Sequence, residues 1–280
     1  MKIHSAIVQG AKILKNKFIP TPYLDSELLL SKVIREDKSY ILLNHKKNLS
    51  KSDFYKFQNL IKKRSNRIPI AYITGKKSFW NSDFMVTDGV LIPRPDTELV
   101  VETTLKLTKH MHKLNILDIG IGSGCILLSI LQEKKNFYGT GIDISKKCID
   151  ISKINAKTIN VSARLKLFKT NVDKFNLGKY DLIVSNPPYI KNFNIKYLEK
   201  EVANFEPRLA LDGGLDGLSE IRKVVKKSSE LIKRNGKLIL EIGYDQKNKV
   251  IKLLKNEGFY INSALCDLAK NNRCIVSTKI

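Results

Sequence analysis

Apolar positions recur with two different periods along this chain. Over residues 1–75 they return every three or four positions, which predicts short amphipathic helices. Thr21 and Pro22 predict one helix start, with the threonine hydroxyl as the cap and the proline in the first turn. Asp25 follows where the helix dipole favours an acid, and the residues from Leu28 to Ile34 supply an apolar face. The segment contains no catalytic group of side chains, so we expect a small helical domain over residues 1–75.

The period changes after this segment. Residues 76–92 alternate apolar and polar side chains around N-S-D and D-G, which predicts a β-hairpin connector. Over residues 93–280, apolar strands alternate with lysine-rich helical stretches; the strands read L-N-I-L-D-I, F-Y-G-T-G-I-D, L-K-L-F, Y-D-L-I-V-S and G-K-L-I-L-E-I. This pattern predicts an α/β fold with a doubly wound, mainly parallel sheet. Ligands of such sheets bind outside the carboxyl ends of the strands, so the loops there should hold the chemistry.

The composition is that of a globular protein, with 42% hydrophobic residues in a chain of 280. A formal net charge of +23 suggests an acidic partner such as nucleic acid or the ribosome. Only nine of the 50 basic residues are arginines, however, and lysines spread along the whole chain equally fit an ordinary solvated surface. The charge alone therefore predicts no more than a weak affinity for nucleic acid or the ribosome.

Membrane insertion, secretion and metal binding are not predicted. No apolar run approaches the roughly 18 residues of a membrane-spanning helix, and lysines interrupt the first apolar positions, unlike those of a signal peptide. The four cysteines are scattered and form no C-x-x-C pair: Cys125, Cys148, Cys266 and Cys274. The sequence therefore predicts neither a metal site nor a disulfide framework, and it fits a reducing cytoplasm.

A glycine-rich loop, D-I-G-I-G-S-G-C, follows the first strand of the predicted sheet. Its spacing is G-x-G-x-G rather than the G-x-G-x-x-G of dinucleotide-binding folds. Glycines let the backbone turn sharply and approach a ligand, and the helix that starts at Cys125 offers free N–H groups to a carboxylate. The alternative is that the glycines only serve packing of the turn. The candidate cofactor-binding residues here are Gly120, Ile121, Gly122, Ser123 and Gly124.

An acid stands at the end of the next strand, where Asp143 closes G-T-G-I-D, 23 positions after Gly120. A carboxylate at this place can accept hydrogen bonds from both ribose hydroxyls of a nucleoside. The alternative is that Asp143 caps the following helix. Together, the loop and the acid favour a nucleoside cofactor without a pyrophosphate, which indicates S-adenosylmethionine.

The stretch S-N-P-P-Y-I, residues 185–190, ends another apolar strand. Proline has no N–H for the sheet, and the residue before a proline is extended, so Asn186 should project from the strand end. The Asn186 side-chain oxygen and the Pro187 carbonyl could accept both N–H bonds of an amide or amino nitrogen and aim its lone pair at a methyl group. Tyr189 could stack on a planar acceptor.

Asn186, Pro187 and Tyr189 are therefore the candidate catalytic residues. With Pro188 they form the candidate substrate site, residues 186–189, which we call the amide cup. The alternative is a turn that merely ends a strand.

N-P-P-Y behind such a loop resembles the methyltransferases that modify amino groups of adenine, guanine or glutamine. Two further stretches, V-L-I-P-R-P-D-T-E-L (90–99) and N-F-E-P-R-L-A-L-D-G-G-L-D-G-L (204–218), resemble the peptide chain release factor N5-glutamine methyltransferases, the HemK/PrmC family. The resemblance implies methyl transfer from S-adenosylmethionine to the glutamine of the Gly-Gly-Gln motif in class-1 release factors, leaving S-adenosylhomocysteine. It also implies a cytoplasmic enzyme whose helical domain docks the protein substrate.

Residue by residue, the resemblance assigns the cofactor to loop 120–124 and Asp143, and makes Asn186 a contact of both cofactor and substrate. Many relatives have an acid followed by a large residue at the adenine, where this chain has Asn171 and Val172. Asn171 could still hydrogen-bond to adenine, and Val172 could pack on it. The histidines match no site and are expected on the surface or in packing: His4, His45, His110 and His112.

Three alternatives stay open from the sequence. The amide cup and the basic charge would also suit an adenine N6-methyltransferase acting on DNA or rRNA, although no segment resembles a target-recognition domain. A glutamine methyltransferase for a ribosomal protein would look similar. The third is a catalytically inactive RNA- or ribosome-binding module, and the intact loop, acid and cup argue against it.

Overall fold

Five helices follow one another over the first 76 residues of the computed structural model, which describes all 280 residues. They are α1 (Ile3–Asn16), α2 (Pro22–Ile34), α3 (Lys38–Leu43), α4 (Lys51–Ser65) and α5 (Ile70–Thr74). With a short helix further along the chain, α9 (Lys200–Phe205), they belong to one of two compact units, residues 1–76 and 199–205. The apolar faces of α1, α2 and α4 meet in its core, where Leu14, Leu29 and Phe57 are buried.

A buried ion-pair network, not predicted from the sequence, joins three helices of this unit. Arg64 at the end of α4 is 3% exposed and donates to Asp25 Oδ2 in α2 (2.6 Å) and to Glu201 Oε1 in α9 (2.7 Å). The predicted cap by Thr21 is wrong, because its hydroxyl donates to Asp25 Oδ1 (2.9 Å) and accepts from no backbone N–H. Asp25 is thus hydrogen-bonded from both sides, and its pairing with Arg64 fixes how α2 and α4 meet.

The second unit, residues 77–198 and 206–280, contains the predicted hairpin and sheet. The strands β1 (Lys76–Phe79) and β2 (Ser82–Met85) form the two-stranded hairpin, as predicted. The seven-stranded sheet consists of β3 (Asn115–Ile119), β4 (Tyr138–Asp143), β5 (Leu165–Lys169), β6 (Tyr180–Ser185), β7 (Ile232–Glu241), β8 (Phe259–Cys266) and β9 (Asn272–Lys279). All five predicted strands are present as β3 to β7, whereas β8 and β9 were not predicted.

Helices and short 3-10 turns connect these strands. The helices are α6 (Glu98–Leu107), α7 (Cys125–Glu133), α8 (Lys146–Thr158), α10 (Ser219–Leu231) and α11 (Lys247–Asn256). The 3-10 turns span Pro95–Thr97, Ser162–Arg164, Val172–Lys174, Asn192–Tyr197 and Arg208–Ala210. None of the helices in the chain combines the length and the apolar character that a bilayer crossing needs.

The sheet is covered on both faces, as a doubly wound fold requires. Successive residues of a strand face opposite sides, so Ile116 packs with α6, α7 and α8, whereas Leu117 packs with α10 and α11. The strand order is β5-β4-β3-β6-β7-β9-β8, and β9 alone runs in the direction opposite to the other six strands. The predicted α/β class with a mainly parallel sheet is therefore confirmed.

This strand order has its reversal at the centre of the sheet. From β3 the chain moves outward through β4 to β5 and then returns to β6 on the other side of β3. The loops after β3 and β6 therefore leave neighbouring strands in opposite directions, and a crevice opens between them. The glycine loop follows β3 and the amide cup follows β6, so both lie at this crevice.

Candidate functional site

A cavity of about 220 Å³ opens at the carboxyl ends of β3, β4, β5 and β6. Eight of the twelve predicted site residues line it: Gly120, Gly122, Asp143, Asn171, Val172, Asn186, Pro187 and Pro188. The other four lie beside it and do not line it: Ile121, Ser123, Gly124 and Tyr189. Residues far apart in the sequence thus meet around one space, at the place where the fold class predicts a ligand.

Glycine is required in the loop for two different reasons. Gly120, Gly122 and Gly124 all have positive φ, at 79°, 58° and 87°, which side chains other than glycine rarely adopt. A Cβ on Gly120 would stand in open space, with no atom within 4 Å, and would take up room in the cavity that Gly120 lines. This glycine therefore keeps the cavity open. A Cβ on Gly124 would lie 2.7 Å from Leu128 Cδ1, so the packing alternative applies there.

The two remaining loop residues point into the protein. Ile121 is buried in the core, and its Cδ1 occupies the space beside Gly141. Ser123 is buried with no partner for its hydroxyl, while its carbonyl accepts from Asn155 Nδ2 (2.8 Å). Their side chains therefore support the shape of the loop rather than the wall of the cavity.

Asp143 holds two loops together at the edge of the cavity. Its Oδ2 accepts from Gly122 N–H (3.0 Å), and its Oδ1 accepts from Ser145 N–H (2.8 Å). The cap of α8 is Ser145, whose hydroxyl accepts from Cys148 N–H (3.3 Å), so Asp143 is not the helix cap. Burial raises the pKa of Asp143, and the two N–H bonds oppose this by stabilising the carboxylate.

The Asn171–Val172 pair lies on the wall of the cavity after β5. Asn171 Oδ1 accepts from Asp173 N–H (2.9 Å), so the side-chain oxygen caps its own 3-10 turn. The Nδ2 group remains for a ligand, which makes Asn171 a donor where an acid would accept. Val172 packs against the core on its other side.

Within the amide cup, the side chain of Asn186 is held by only one of its two ends. Its Nδ2 donates to Thr97 Oγ1 (3.2 Å), and no protein group donates to its Oδ1. Tyr189 lies at the other end of the cup, and its hydroxyl donates to Glu241 Oε1 (3.3 Å). Burial, with the charge of Glu241, strongly raises the pKa of Tyr189, so its hydroxyl keeps its proton.

The two stretches that suggested the family meet at this site. Arg94 donates to Glu206 Oε1 (2.5 Å), and the same carboxylate accepts from Ile92 N–H (3.2 Å), so residues 90–99 are bound to residues 204–218. The first stretch also places Thr97 beside Asn186. No local pattern predicted a structural role for either stretch, because the bonds join positions more than a hundred residues apart.

Two buried acids were also missed. Asp118, at the end of β3, is buried with no partner on either carboxylate oxygen; burial and the nearby Asp143 raise its pKa to about 8. Glu241, at the end of β7, is likewise buried, which raises its pKa to about 7, although the Thr97 and Tyr189 hydroxyls and Arg273 favour its charged form. The available signal was a single acid inside an apolar run, L-D-I and L-E-I.

Two family models match the chain. The PrmC N-terminal domain matches residues 5–75, and the methyltransferase small domain matches residues 96–216. Among solved structures, a methyltransferase from Pyrococcus furiosus has a TM-score of 0.53 at 17% identity and covers 79% of this chain and 97% of that one. The ribosomal protein L11 methylase from Lactobacillus delbrueckii subsp. bulgaricus has a TM-score of 0.51 at 17% identity, covering 70% and 84%. These structures are similar in fold alone.

Sequence relatives extend the similarity over the whole chain. The release factor glutamine methyltransferase of Clostridium acetobutylicum is 35% identical over 282 residues, covering 100% of this chain and 99% of that one. The protein of the same name from Clostridium botulinum is 36% identical and covers 100% of both. A bifunctional methyltransferase of Rickettsia typhi is 36% identical over 96% of this chain, which spans 56% of that longer protein. With these full-length relatives and this fold, the chain belongs to the release factor glutamine methyltransferase family.

Proposed function

We propose that this protein transfers a methyl group from S-adenosylmethionine to the side-chain nitrogen N5 of the glutamine in the Gly-Gly-Gln motif of class-1 release factors, leaving S-adenosylhomocysteine. The observation that carries the proposal is Asn186 at the cavity wall, bound through Nδ2 with Oδ1 free. The full-length relatives with this function in their names support it. Since translation termination takes place in the cytoplasm, the proposal places the enzyme there.

The residues of the cavity fit S-adenosylmethionine. The open space at Gly120 and Gly122 admits a ligand against the loop backbone. Each oxygen of Asp143 accepts one N–H and retains a lone pair for a ribose hydroxyl. Asn171 Nδ2 and Val172 would meet the adenine. When bound, this cofactor supplies a methyl group on a positively charged sulfur.

The amide cup supplies the orientation that a glutamine nitrogen needs. An amide nitrogen is a poor nucleophile because its lone pair is delocalised into the carbonyl. Asn186 Oδ1 and the Pro187 carbonyl would accept its two N–H bonds, which fixes the direction of the lone pair. Transfer would join the methyl carbon to this nitrogen and leave the carbon–sulfur electron pair on sulfur, and one of the two N–H protons held by Asn186 Oδ1 and the Pro187 carbonyl would then pass to water.

The helical unit is the proposed docking element for the protein substrate. Leu42 and Leu43 in α3 are 68% and 82% exposed, which leaves an apolar surface for a partner. Leu42→Ser with Leu43→Ser should raise KM for an intact release factor and leave KM for a short Gly-Gly-Gln peptide unchanged. Leu177→Ser, an exposed leucine of the second unit, is the control. Equal KM values for the intact factor in all three proteins would contradict this role.

The test of the proposed function offers all candidate substrates at once. The enzyme and a labelled methyl donor are incubated with release factor, ribosomal proteins, tRNA, rRNA and DNA, and the label is located by mass spectrometry. We expect label on the Gly-Gly-Gln glutamine and none when that glutamine is replaced by alanine. Label on adenine would favour the adenine N6-methyltransferase alternative. Label on a ribosomal protein would favour a glutamine methyltransferase for that protein. A weak nucleic-acid affinity remains a prediction from the charge.

A further inference from the structure

A buried carboxylate stands next to the amide cup in the sheet. Strands β6 and β7 are parallel, and Ser185 is paired with Leu240, so Asn186 and Glu241 are the next residues along each strand. Side chains alternate between the two faces, and Val184 and Ile239 share one core. Asn186 and Glu241 therefore leave the sheet on that same face, side by side.

Thr97 lies between these two side chains and is itself buried. Its oxygen accepts from Asn186 Nδ2 (3.2 Å), and its hydroxyl favours the charged form of Glu241, whose buried Oε2 has no hydrogen-bond partner in the structure. A hydroxyl has one proton, and an ionised carboxylate can only accept. With Glu241 charged, Thr97 must donate to Glu241 and can only accept from Asn186.

The same carboxylate reaches the far end of the cup. Tyr189 donates its hydroxyl to Glu241 Oε1 (3.3 Å), which leaves the unpartnered Oε2 for the Thr97 hydroxyl that holds Asn186. Arg273, next to the residue of β9 that pairs with Glu241, favours the charged form, whereas Asp96 opposes it. Two prolines already fix the backbone of the cup, so these bonds act on its side chains.

We propose that Glu241 is a positioning residue for methyl transfer: its charge orients the Thr97 hydroxyl, which holds Asn186 by Nδ2 and leaves Oδ1 to face the substrate nitrogen. This inference rests on the proposed function. Without the charge on Glu241, Thr97 is free to donate to Asn186 Oδ1. The Asn186 amide can then flip by about 180°, which exchanges the positions of Oδ1 and Nδ2. The cup would then present N–H groups to the N–H groups of the substrate, and these repel each other.

Two variants break the chain of bonds at different places, and two others serve as comparisons. Glu241→Gln removes the charge at nearly constant shape, and Thr97→Val removes the hydroxyl. Thr97→Ser retains the hydroxyl. Thr104→Val is the matched control, because Thr104 is also buried but donates only to Val100 O within its own helix (2.8 Å).

The measurements are kcat and KM with release factor at pH 8.5, the Kd of S-adenosylhomocysteine by calorimetry, and hydrogen exchange of the Asn186 Nδ2 protons by NMR. We expect Glu241→Gln and Thr97→Val to lower kcat about tenfold or more, since a hydrogen bond to a charged group is lost. KM and Kd should stay near wild type, and the Nδ2 protons should exchange faster. Thr97→Ser should restore kcat, and the double variant should be no worse than the more damaged single one.

Wild-type kcat in Thr97→Val, with a folded protein, would overturn the inference even if Glu241→Gln failed to fold. An equal loss in Thr104→Val, or additive losses in the double variant, would also overturn it, because they indicate general damage. Failure of the proposed function has a different signature: the wild-type enzyme would leave the release factor glutamine unmethylated. Normal wild-type methylation with unaffected variants would remove this inference alone.

Discussion

Replacing Asp143 by asparagine is expected to weaken donor binding and to loosen the glycine loop at the same time. The carboxylate accepts Gly122 N–H through one oxygen and Ser145 N–H through the other. Asparagine has only one acceptor oxygen, so its NH₂ group must face one of these two N–H groups. One loop therefore loses its acceptor while the size of the side chain stays the same.

The expected changes in stability and in donor binding follow from the number of hydrogen bonds that Asp143→Asn weakens. A hydrogen bond to a charged group contributes about 1.5–3 kcal/mol, and the variant loses the charge at both N–H donors and at the ribose. Burial raises the pKa of Asp143, so the charged form is already disfavoured in the folded protein and part of this loss is offset. We expect the free energy of unfolding to fall by about 1–2 kcal/mol near neutral pH. The Kd of the donor should rise at least about tenfold, equivalent to about 1.4 kcal/mol.

Calorimetry with S-adenosylhomocysteine gives the Kd, and urea unfolding gives the stability. Asp150→Asn is the control, since Asp150 is an exposed acid of α8 paired only with Lys146. Asp143→Ala should raise the Kd about as much as Asp143→Asn does, and it should lower the free energy of unfolding further. A Kd and an unfolding midpoint equal to wild type in Asp143→Asn would refute the reasoning, because neither the loops nor the ribose would then depend on this carboxylate.

Three further outcomes are expected. Asn186→Ala should lower kcat about a hundredfold at an unchanged melting temperature, because one acceptor for the reacting nitrogen is lost; steady-state kinetics with release factor tests this. Arg64→Ala should lower the free energy of unfolding in urea by about 3–5 kcal/mol, since Asp25 stays buried without its partner, whereas Lys63→Ala on the exposed side should not. The free energy of unfolding should decline as pH rises from about 4 to 8, because the pKa of Asp118 is about 8 in the folded protein against an ordinary 3.8, so that the folded protein binds a proton that the unfolded chain has released. Asp118→Asn should flatten this decline. A pH profile of stability unaltered by Asp118→Asn would contradict the expectation.

The strands β3 to β7 were predictable because each is a short apolar run bounded by turn residues. Once those strands were placed in a parallel sheet, the positions of Gly120, Asp143 and Asn186 followed, since each stands at a carboxyl end. Fold class and the main site residues therefore came from local patterns combined with one rule of sheet topology.

Other features depend on contacts that no local pattern contains. Strand β8 is mostly half-buried or exposed, and β9 buries only the four residues from Cys274 to Ser277 between polar ends. The two strands pair with each other at the edge of the sheet, where β9 also pairs with β7. The Thr21 cap failed because Asp25, held by Arg64, offers the hydroxyl a charged acceptor. The burial of Arg64 within a basic run depends on Glu201, 137 positions away. Such pairings become visible only in three dimensions.

Two residues of the site that the sequence missed, Thr97 and Glu241, act on side chains of the amide cup and not on its backbone. Gln246, which follows β7, acts on the backbone instead. Its Nε2 donates to the carbonyls of Tyr189 (3.0 Å) and Gly217 (2.9 Å) and so supports the loop. A turn that merely ends a strand would need no more than the two prolines and this kind of backbone bond.

The bonds to Asn186 and Tyr189 need a different explanation. The two ends of an asparagine amide have nearly the same size, so packing alone cannot choose between them, whereas a donor–acceptor chain that ends in a charge can. Thr97 and Glu241 would form such a chain once the Thr97 hydroxyl turns to the unpartnered Oε2 of Glu241, and Arg94 with Glu206 fixes the segment that carries Thr97. The stretches 90–99 and 204–218 thus have a physical reason to accompany N-P-P-Y in one protein: without them the amide oxygen would have no fixed direction.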